Sequence, residues 1–373
     1  MGQVERQKGQ MGLMSEALRN FTGFSIITLL FTLGSFALIA RNHTVSGSAR
    51  RAFLICFGSL FFIALFDWID YAFGMHHPEF RWFYTVTTAL TFAVAPALPA
   101  LIAKTIFPNQ YYRYVRALIV AQALLELATV FGGFVFYVDA NGVYVRGQFY
   151  PVYMATYTVS ALYLSYWSIR AGATYQSTNV SSILIILTML VVGVAIQVFD
   201  SSIRTTWPAV AMTVILYYLF YADMILSTDA LTQLLNRRSY HEFLARPTLP
   251  CEVIVLDVDN FKHINDTYGH AYGDVCLQTE AKLIRRAFAG TGLCYRSGGD
   301  EFTVMMTKRL DDVDATVGTL QQLVSKEQEK EPRLAGLSIG HARAELGCKD
   351  LKAVIEQADQ RMYEDKRARK AGR

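Results

Sequence analysis

The sequence predicts two domains of different class: an all-α bundle of seven membrane-spanning helices, then an α/β layered domain. Three observations carry this. First, of the 66 charged residues in the chain of 373, only 17 fall in residues 21–226, against 44 in the shorter stretch that follows. Second, the charge-poor part contains seven apolar stretches, each near the roughly 20 residues that a helix needs to cross a bilayer. Third, from Cys251 onward the hydrophobic period switches back and forth between that of a strand and that of a helix. A charge-poor apolar half joined to a charge-rich half reads as a membrane region plus a soluble domain.

Taken in order, residues 1–20 form an N-terminal tail, and 21–226 a membrane domain with spans at 21–40, 52–74, 85–107, 117–138, 151–169, 180–198 and 207–226. No small-residue cleavage site follows the first apolar core, so it reads as a retained span. The loops after spans one and three hold three basic residues each (Arg41, Arg50, Arg51; Lys104, Arg113, Arg116), and those after spans two, four and six one each (Arg81, Arg146, Arg204). This bias puts the odd loops and the C-terminal domain in the cytoplasm and the N-terminus outside, although Arg6, Lys8 and Arg19 in the tail pull the other way. The expected location is therefore a cell membrane, with the soluble domain on its cytoplasmic face.

Charge in hydrocarbon is costly, so acidic residues at membrane depth face a cavity or a partner. Asp67, Asp70, Glu126 and Asp200 are such residues. They are expected to line an outward-facing pocket for a small-molecule or cation ligand, against the plainer alternative of interfacial and structural pairing. His76 and His77 read as solvated loop residues. The aromatic run Tyr217, Tyr218, Phe220 and Tyr221 in span seven reads as packing and interface anchoring. Five scattered cysteines without a Cys-x-x-Cys pair fit buried thiols in a reducing compartment.

Residues 227–373 form the soluble domain. They carry 22 basic and 22 acidic residues, a neutral balance that argues against nucleic acid as the partner. Residues 252–258 read as a buried strand, 271–289 as a helix, 293–296 and 301–307 as a hairpin around Gly298-Gly299, 310–326 as a helix, 333–342 as a strand and 350–369 as a last helix. Carboxylates gather at the strand ends. If the first strand and the second hairpin strand are neighbours, Asp257 and Asp300 meet, and converging carboxylates suit Mg²⁺.

At this point the residues carry a resemblance. Arg296-Ser297-Gly298-Gly299-Asp300-Glu301-Phe302 resembles the signature of the GGDEF family of diguanylate cyclases. Asp229 to Arg238 resembles its opening motif, Asp257 to Asp274 its metal and guanine segment, Leu337 to Gly340 its late strand, and Ala358-Asp359 with Tyr363 and Lys366 its final helix. The resemblance implies a nucleotide-cyclase palm with a mixed sheet, working as a homodimer that joins two GTP molecules into cyclic di-GMP. It implies two Mg²⁺ or Mn²⁺ ions on Asp257, the carbonyl of Val258 and Asp300, with Glu301 as general base. Asn265 and Asp274 would read the guanine edge and Leu231 would line the base pocket. Asn260, Phe261, Lys262, Arg296, Lys366 and Lys370 would contact substrate, and Gly298 and Gly299 would let the backbone approach the α-phosphate.

The sequence departs from the family pattern at Gln233 (usually Gly), at Asp365 (usually Ala) and in the absence of Gly-Arg-Asn after Lys366. An Arg-x-x-Asp product-inhibition site is also missing; Ala289-Gly290-Thr291-Gly292 stands there. A catalytically weak or silent GTP-binding receptor is the alternative reading. So few residues separate span seven from Asp229 that the span is expected to run into the first catalytic motif as one helix.

Overall fold

A computed structural model describes residues 2–42, 45–74, 77–106, 111–174, 180–199, 205–245, 250–345 and 351–371. Asp200, Arg204 and His76 lie outside the described residues. The chain divides into two compact units, Met1–Asp223 and Met224–Arg373.

The first unit is built from α1 (Gly2–Arg41), α2 (Gly47–Ile69) with a π-helical turn at Asp70–Gly74, α3 (Arg81–Val94), α4 (Ala97–Ile106), α5 (Tyr112–Gly132), a hairpin of β1 (Phe136–Val138) and β2 (Tyr144–Arg146), α6 (Tyr150–Thr174), α7 (Val180–Phe199) and α8 (Thr206–Leu226). Among the described residues, five helical stretches are long and apolar enough to cross a membrane: Leu18–Arg41, Gly47–Phe73, Pro78–Thr105, Tyr112–Gly132 and Thr206–Leu226. Seven were expected. The other two expected spans coincide with α6, long but diluted by tyrosine, serine and threonine, and with α7, whose apolar part is the shorter Ser182–Gln197. Large apolar side chains stand outward on these helices, including Leu38 at 72% exposure and Phe131 at 85%. An aqueous surface does not carry apolar patches on this scale, whereas lipid matches them.

Three expectations about this unit change. The residues called a tail continue into the first span as one helix, α1. The third span is two helices, because Pro96 removes a backbone donor and breaks the ladder between α3 and α4. The fourth span stops at Gly132, where Gly133 takes the left-handed conformation (φ 65°). The chain then turns back in the β1–β2 hairpin, whose turn is held by Asp139 Oδ1 accepting from the Asn141 and Val143 amides at 2.8 Å.

The second unit contains α9 (Arg237–Leu244), β3 (Cys251–Val258), α10 (Phe261–Tyr268), α11 (His270–Ala287), β4 (Gly292–Arg296), β5 (Glu301–Met306), α12 (Val313–Lys330), β6 (Leu337–Ala344) and α13 (Leu351–Ala371). The strands form one sheet in the order β4-β5-β3-β6. Among the described residues every neighbouring pair of these four strands is antiparallel, where the resemblance implied a mixed sheet; parallel pairing is confined to the isolated Leu235–Tyr295 bridge at β4. The physical reason is the β4–β5 hairpin: it folds β5 back beside β3, so β4 lands one strand away, in the split βαβ arrangement. All eight residues of β3 are buried. One face packs Ile254, Leu256 and Val258 with residues of α10, α11 and α12, and the other packs Val253 and Val255 with Ala358 and Met362 of α13. A strand covered on both faces has no polar side, which is why its middle, Val253 to Leu256, is apolar throughout.

The helix α8 ends at Leu226, and the opening motif is a turn rather than a continuation of it. Asp229 Oδ1 accepts from the amide and hydroxyl of Thr232, and Asn236 caps α9 while its amide donates to the Leu226 carbonyl at 2.7 Å. These side chains compete with the helix for its own backbone groups and end it.

Candidate active site

The sheet order brings the ends of β3 and β5 together. Asp257 pairs across the sheet with Glu301 on one side and Ser338 on the other, and the Val258 amide donates to the Asp300 carbonyl at 3.2 Å. The condition set by the sequence is therefore met: Asp257 and Asp300 are neighbours. Lys366, reaching in from α13, donates to Asp257 Oδ1 at 2.5 Å.

The electrostatics follow from this crowding. Burial pushes the Asp257 carboxyl up; the Lys366 ammonium opposes that, and the charges of Asp300 and Asp259 add to it. Burial likewise raises Glu301, with Asp257, Asp300 and Asp359 contributing. Carboxylates raised by burial and further by neighbouring acids form a site that favours positive charge. Lys366 meets part of that demand, and its own value is raised: burial alone would lower it, but the hydrogen bond to Asp257 and the surrounding acids prevail.

Asp259, two residues further on, is engaged by the protein itself. Its carboxylate accepts from Ser338 Oγ and its amide donates to the Gly336 carbonyl, so it anchors the strand end. Among the described residues, no three His, Cys, Asp or Glu side chains converge as a ready-made metal site. Mg²⁺ does not require three, because one or two carboxylates plus substrate phosphates commonly suffice. The acids Asp257 and Glu301, both raised by burial and by neighbouring carboxylates, are the chemistry such an ion fits.

Three further groups surround this centre. The N-terminus of α10 presents the amides of Phe261 and Lys262 after Asn260, which takes a left-handed conformation (φ 52°). Free helix-start amides suit phosphate oxygens. Asn260 and Lys262 are exposed, as is Lys370, one helical turn beyond Lys366. On the base side, Asn265 lies against Gly273 so closely that a Cβ there would overlap its Oδ1. That oxygen has no hydrogen-bond partner in the protein, an acceptor suited to the N–H edge of guanine. Asp274 is exposed beside it on α11, and Leu231 packs at the edge of the core.

The Gly298–Gly299 turn differs from a tight two-glycine hairpin. Neither residue takes positive φ, and four residues, 297–300, connect the strands. Gly298 matters for another reason: a Cβ there would meet the Glu301 carboxylate at 2.5 Å and displace it. Arg296 holds the turn. Its guanidinium donates to the Gly299 carbonyl at 2.7 and 3.1 Å and to Asp229 Oδ1 at 3.1 Å. The structure thus occupies Arg296 with protein groups and joins the opening motif to the signature turn. This role was missed in the sequence, where only the shared presence of Asp229 and Arg296 in the two motifs hinted at it. Gln233, at the position usually held by glycine, keeps the left-handed backbone that glycine would supply (φ 60°).

The membrane-depth acids have different surroundings. Asp70 accepts from Thr87 Oγ1 at 2.7 and 2.8 Å, Asp67 lines a small cavity with Ser25, Thr28 and Trp207, and Glu126 lies buried beside Gln122.

Residues 226–372 match the family described as "Diguanylate cyclase, GGDEF domain". Diguanylate cyclase A of Treponema denticola is 32% identical over 120 residues, 31% of this chain and 32% of that protein. Diguanylate cyclase DosC of Escherichia coli is 32% identical over 153 residues, 37% of this chain and 33% of that protein. The chain thus spans about a third of the length of these curated relatives. Among solved structures, the GGDEF domain of DgcB from Caulobacter crescentus, in complex with c-di-GMP, aligns at 30% identity over 38% of this chain and 91% of that domain, with a TM-score of 0.33.

Proposed function

We propose that this chain is a membrane-anchored diguanylate cyclase that condenses two GTP molecules into cyclic di-GMP and releases two pyrophosphates. The observation that carries this is the clustering of Asp257, Asp300 and Glu301 with Lys366 at the adjoining ends of β3 and β5, together with the family match over 226–372. One such domain holds one GTP, so the reaction needs two copies facing each other. Asn265 and Asp274 read the guanine edge: an acceptor oxygen and a carboxylate take up its N–H groups and leave adenine unpaired. The α10 amides, Lys262, Lys366 and Lys370 hold the phosphates. When bound, two Mg²⁺ or Mn²⁺ ions held by Asp257, the Val258 carbonyl and Asp300 would acidify the attacking hydroxyl and offset charge developing on phosphate.

Glu301 takes the proton of one nucleotide's 3′-hydroxyl. The freed oxygen bonds to the α-phosphorus of the other nucleotide, and the bond to its β-phosphate breaks to release pyrophosphate. A second, identical transfer closes the ring. The raised pKa of Glu301 matches this task better than an ordinary carboxylate would. Lys366 leaves Asp257 for the phosphates when a nucleotide arrives, so the ion pair is exchanged rather than lost.

The five apolar helices and the loop charges support placing the first unit in the inner membrane, with the cyclase domain cytoplasmic and the N-terminus outside. In this reading the membrane unit receives a signal that sets cyclase output. The test is an assay of the purified full-length protein with GTP and Mg²⁺, resolving nucleotide products, with Asp300→Ala as control. Cyclic di-GMP formed by the parent and not by the variant is expected. GTP binding without any product would replace the cyclase reading with that of a silent receptor.

A further inference from the structure

Glu126 is fully buried in α5, within a stretch apolar enough to cross a membrane. One of its oxygens accepts from the Gln122 amide at 2.5 Å, while Oε2 has no hydrogen-bond partner. Gln122, one helical turn earlier on the same face, is 2% exposed, and its Oε1 is likewise without a partner. Two buried acceptors, on side chains one helical turn apart, therefore have no donor from the protein. Among the described residues no Lys, Arg or His makes an ion pair with this carboxylate, and the Arg146 guanidinium lies over the Tyr150 ring.

The surroundings are aromatic and closed. The β1–β2 hairpin covers this end of the bundle: Val135 and Phe136 are fully buried, and the Val135 amide donates to Thr129 Oγ1 of α5 at 3.2 Å. Phe92 stacks on Tyr153 with centroids 4.2 Å apart, and Phe136 stacks on Tyr144. A buried carboxylate and amide oxygen ask for a positively charged group with at least two N–H donors, and ring faces add attraction for the same charge.

We propose that Glu126 and Gln122 form a binding site for a small primary ammonium ligand beneath the β1–β2 hairpin. One N–H goes to Glu126 Oε2 and another to Gln122 Oε1. A quaternary ammonium, which has no N–H, satisfies neither. The site is independent of the cyclase chemistry, and it narrows the four membrane-depth acids to one ligand-binding position.

The test uses full-length protein in nanodiscs, with n-butylammonium chloride as probe and tetramethylammonium chloride and sodium chloride as controls at matched ionic strength. The readout is thermal unfolding followed by tryptophan fluorescence, since Trp68, Trp82, Trp167 and Trp207 all belong to this unit. Butylammonium is expected to raise the midpoint in a saturable way, the controls not to, and Glu126→Gln to abolish the response. Gln122→Leu, which tests the site should the first variant misfold, is expected to weaken affinity by about tenfold or more, the worth of one charge-assisted hydrogen bond. An equal response to sodium or to tetramethylammonium, an unchanged response in the Glu126→Gln or Gln122→Leu variant, or no response of the parent to butylammonium overturns the proposal.

Discussion

Glu280 lies on α11 with no exposure to solvent and neither carboxylate oxygen hydrogen-bonded. Burial pushes its carboxyl from 4.5 up to about 8, and the charge of Asp259 adds to the effect. The folded protein therefore keeps a proton that the unfolded chain gives up. Between those two values the folded state binds more protons, so its stability falls as pH rises. Each pH step in that window costs about 1.4 kcal/mol. The loss, relative to acid pH, reaches about 3 kcal/mol at pH 7 and nears about 5 kcal/mol once pH passes the folded value. Glu280→Gln keeps the shape and cannot ionise, so it should flatten this slope and raise unfolding free energy at pH 7 by about 3 kcal/mol. Glu280→Leu, which also removes the unpartnered polar atoms, should gain more.

Tryptophan fluorescence is blind to this unit, because all four tryptophans lie in the other one. Cys276 serves instead: it is fully buried and stands one helical turn before Glu280. Thiol labelling of the native protein reports how often that region opens. After correction for thiolate content with a model thiol, the parent should label faster as pH rises from 6 to 9, and the Glu280→Gln variant should not. Equal labelling of parent and variant at pH 8.5 would refute the reasoning.

Three other perturbations have defined outcomes. Arg296→Ala removes the grip on the Gly299 carbonyl and on Asp229, and should cost about 2–3 kcal/mol of stability and lower kcat more than it raises KM. In the parent, burial works against Asp229, but Thr232 and Arg296 hold its carboxyl below the ordinary value, so its stabilisation is present at neutral pH and is lost as pH falls through the folded value; urea melts of the variant should show less acid sensitivity. Gly273→Ala drives a methyl into Asn265 and should raise KM for GTP with kcat nearly unchanged, measured by steady-state kinetics. Gly340→Ala drives a Cβ into the Met362 amide nitrogen and the Ala358 carbonyl, so α13 must lift off β6, at a cost of about 3 kcal/mol or more in denaturant melts.

The acids Asp257, Asp300 and Glu301 were legible because each rests on short-range rules, an apolar strand and a hairpin with acids at their ends, while the pairing of those strands was left as a condition. The parts that escaped were of two kinds. Some had local signals that were outweighed, such as Pro96 inside an apolar stretch and the Asp139–Gly142 turn at the end of another, both submerged in high hydropathy. Others have no local signal at all. Nothing near Glu280 in the chain says that both its oxygens lack partners, and nothing near Arg296 says that its guanidinium is already committed to Asp229, 67 residues earlier. Sheet direction belongs to the same class, since alternating strands and helices suit parallel and split arrangements equally.

The position of β6 at the sheet edge also has a consequence for biosynthesis. Its partner β3 is made early and β6 late, with register pairs such as Val258–Leu337 and Cys251–Ala344 closing the longest loop of the sheet. At about 5–20 residues per second, the roughly 80 intervening residues take on the order of ten seconds to be made. During that interval β3, packed by apolar residues on both faces in the finished fold, has both hydrogen-bonding edges open until β5 is made and one open thereafter, the condition under which strands pair with the wrong neighbour. If the helices of the first unit have entered the bilayer by then, many such nascent chains would be held close together on one membrane. Ribosome pausing between residues 258 and 337 would lengthen this exposure, so translation tempo through that segment becomes a determinant of yield.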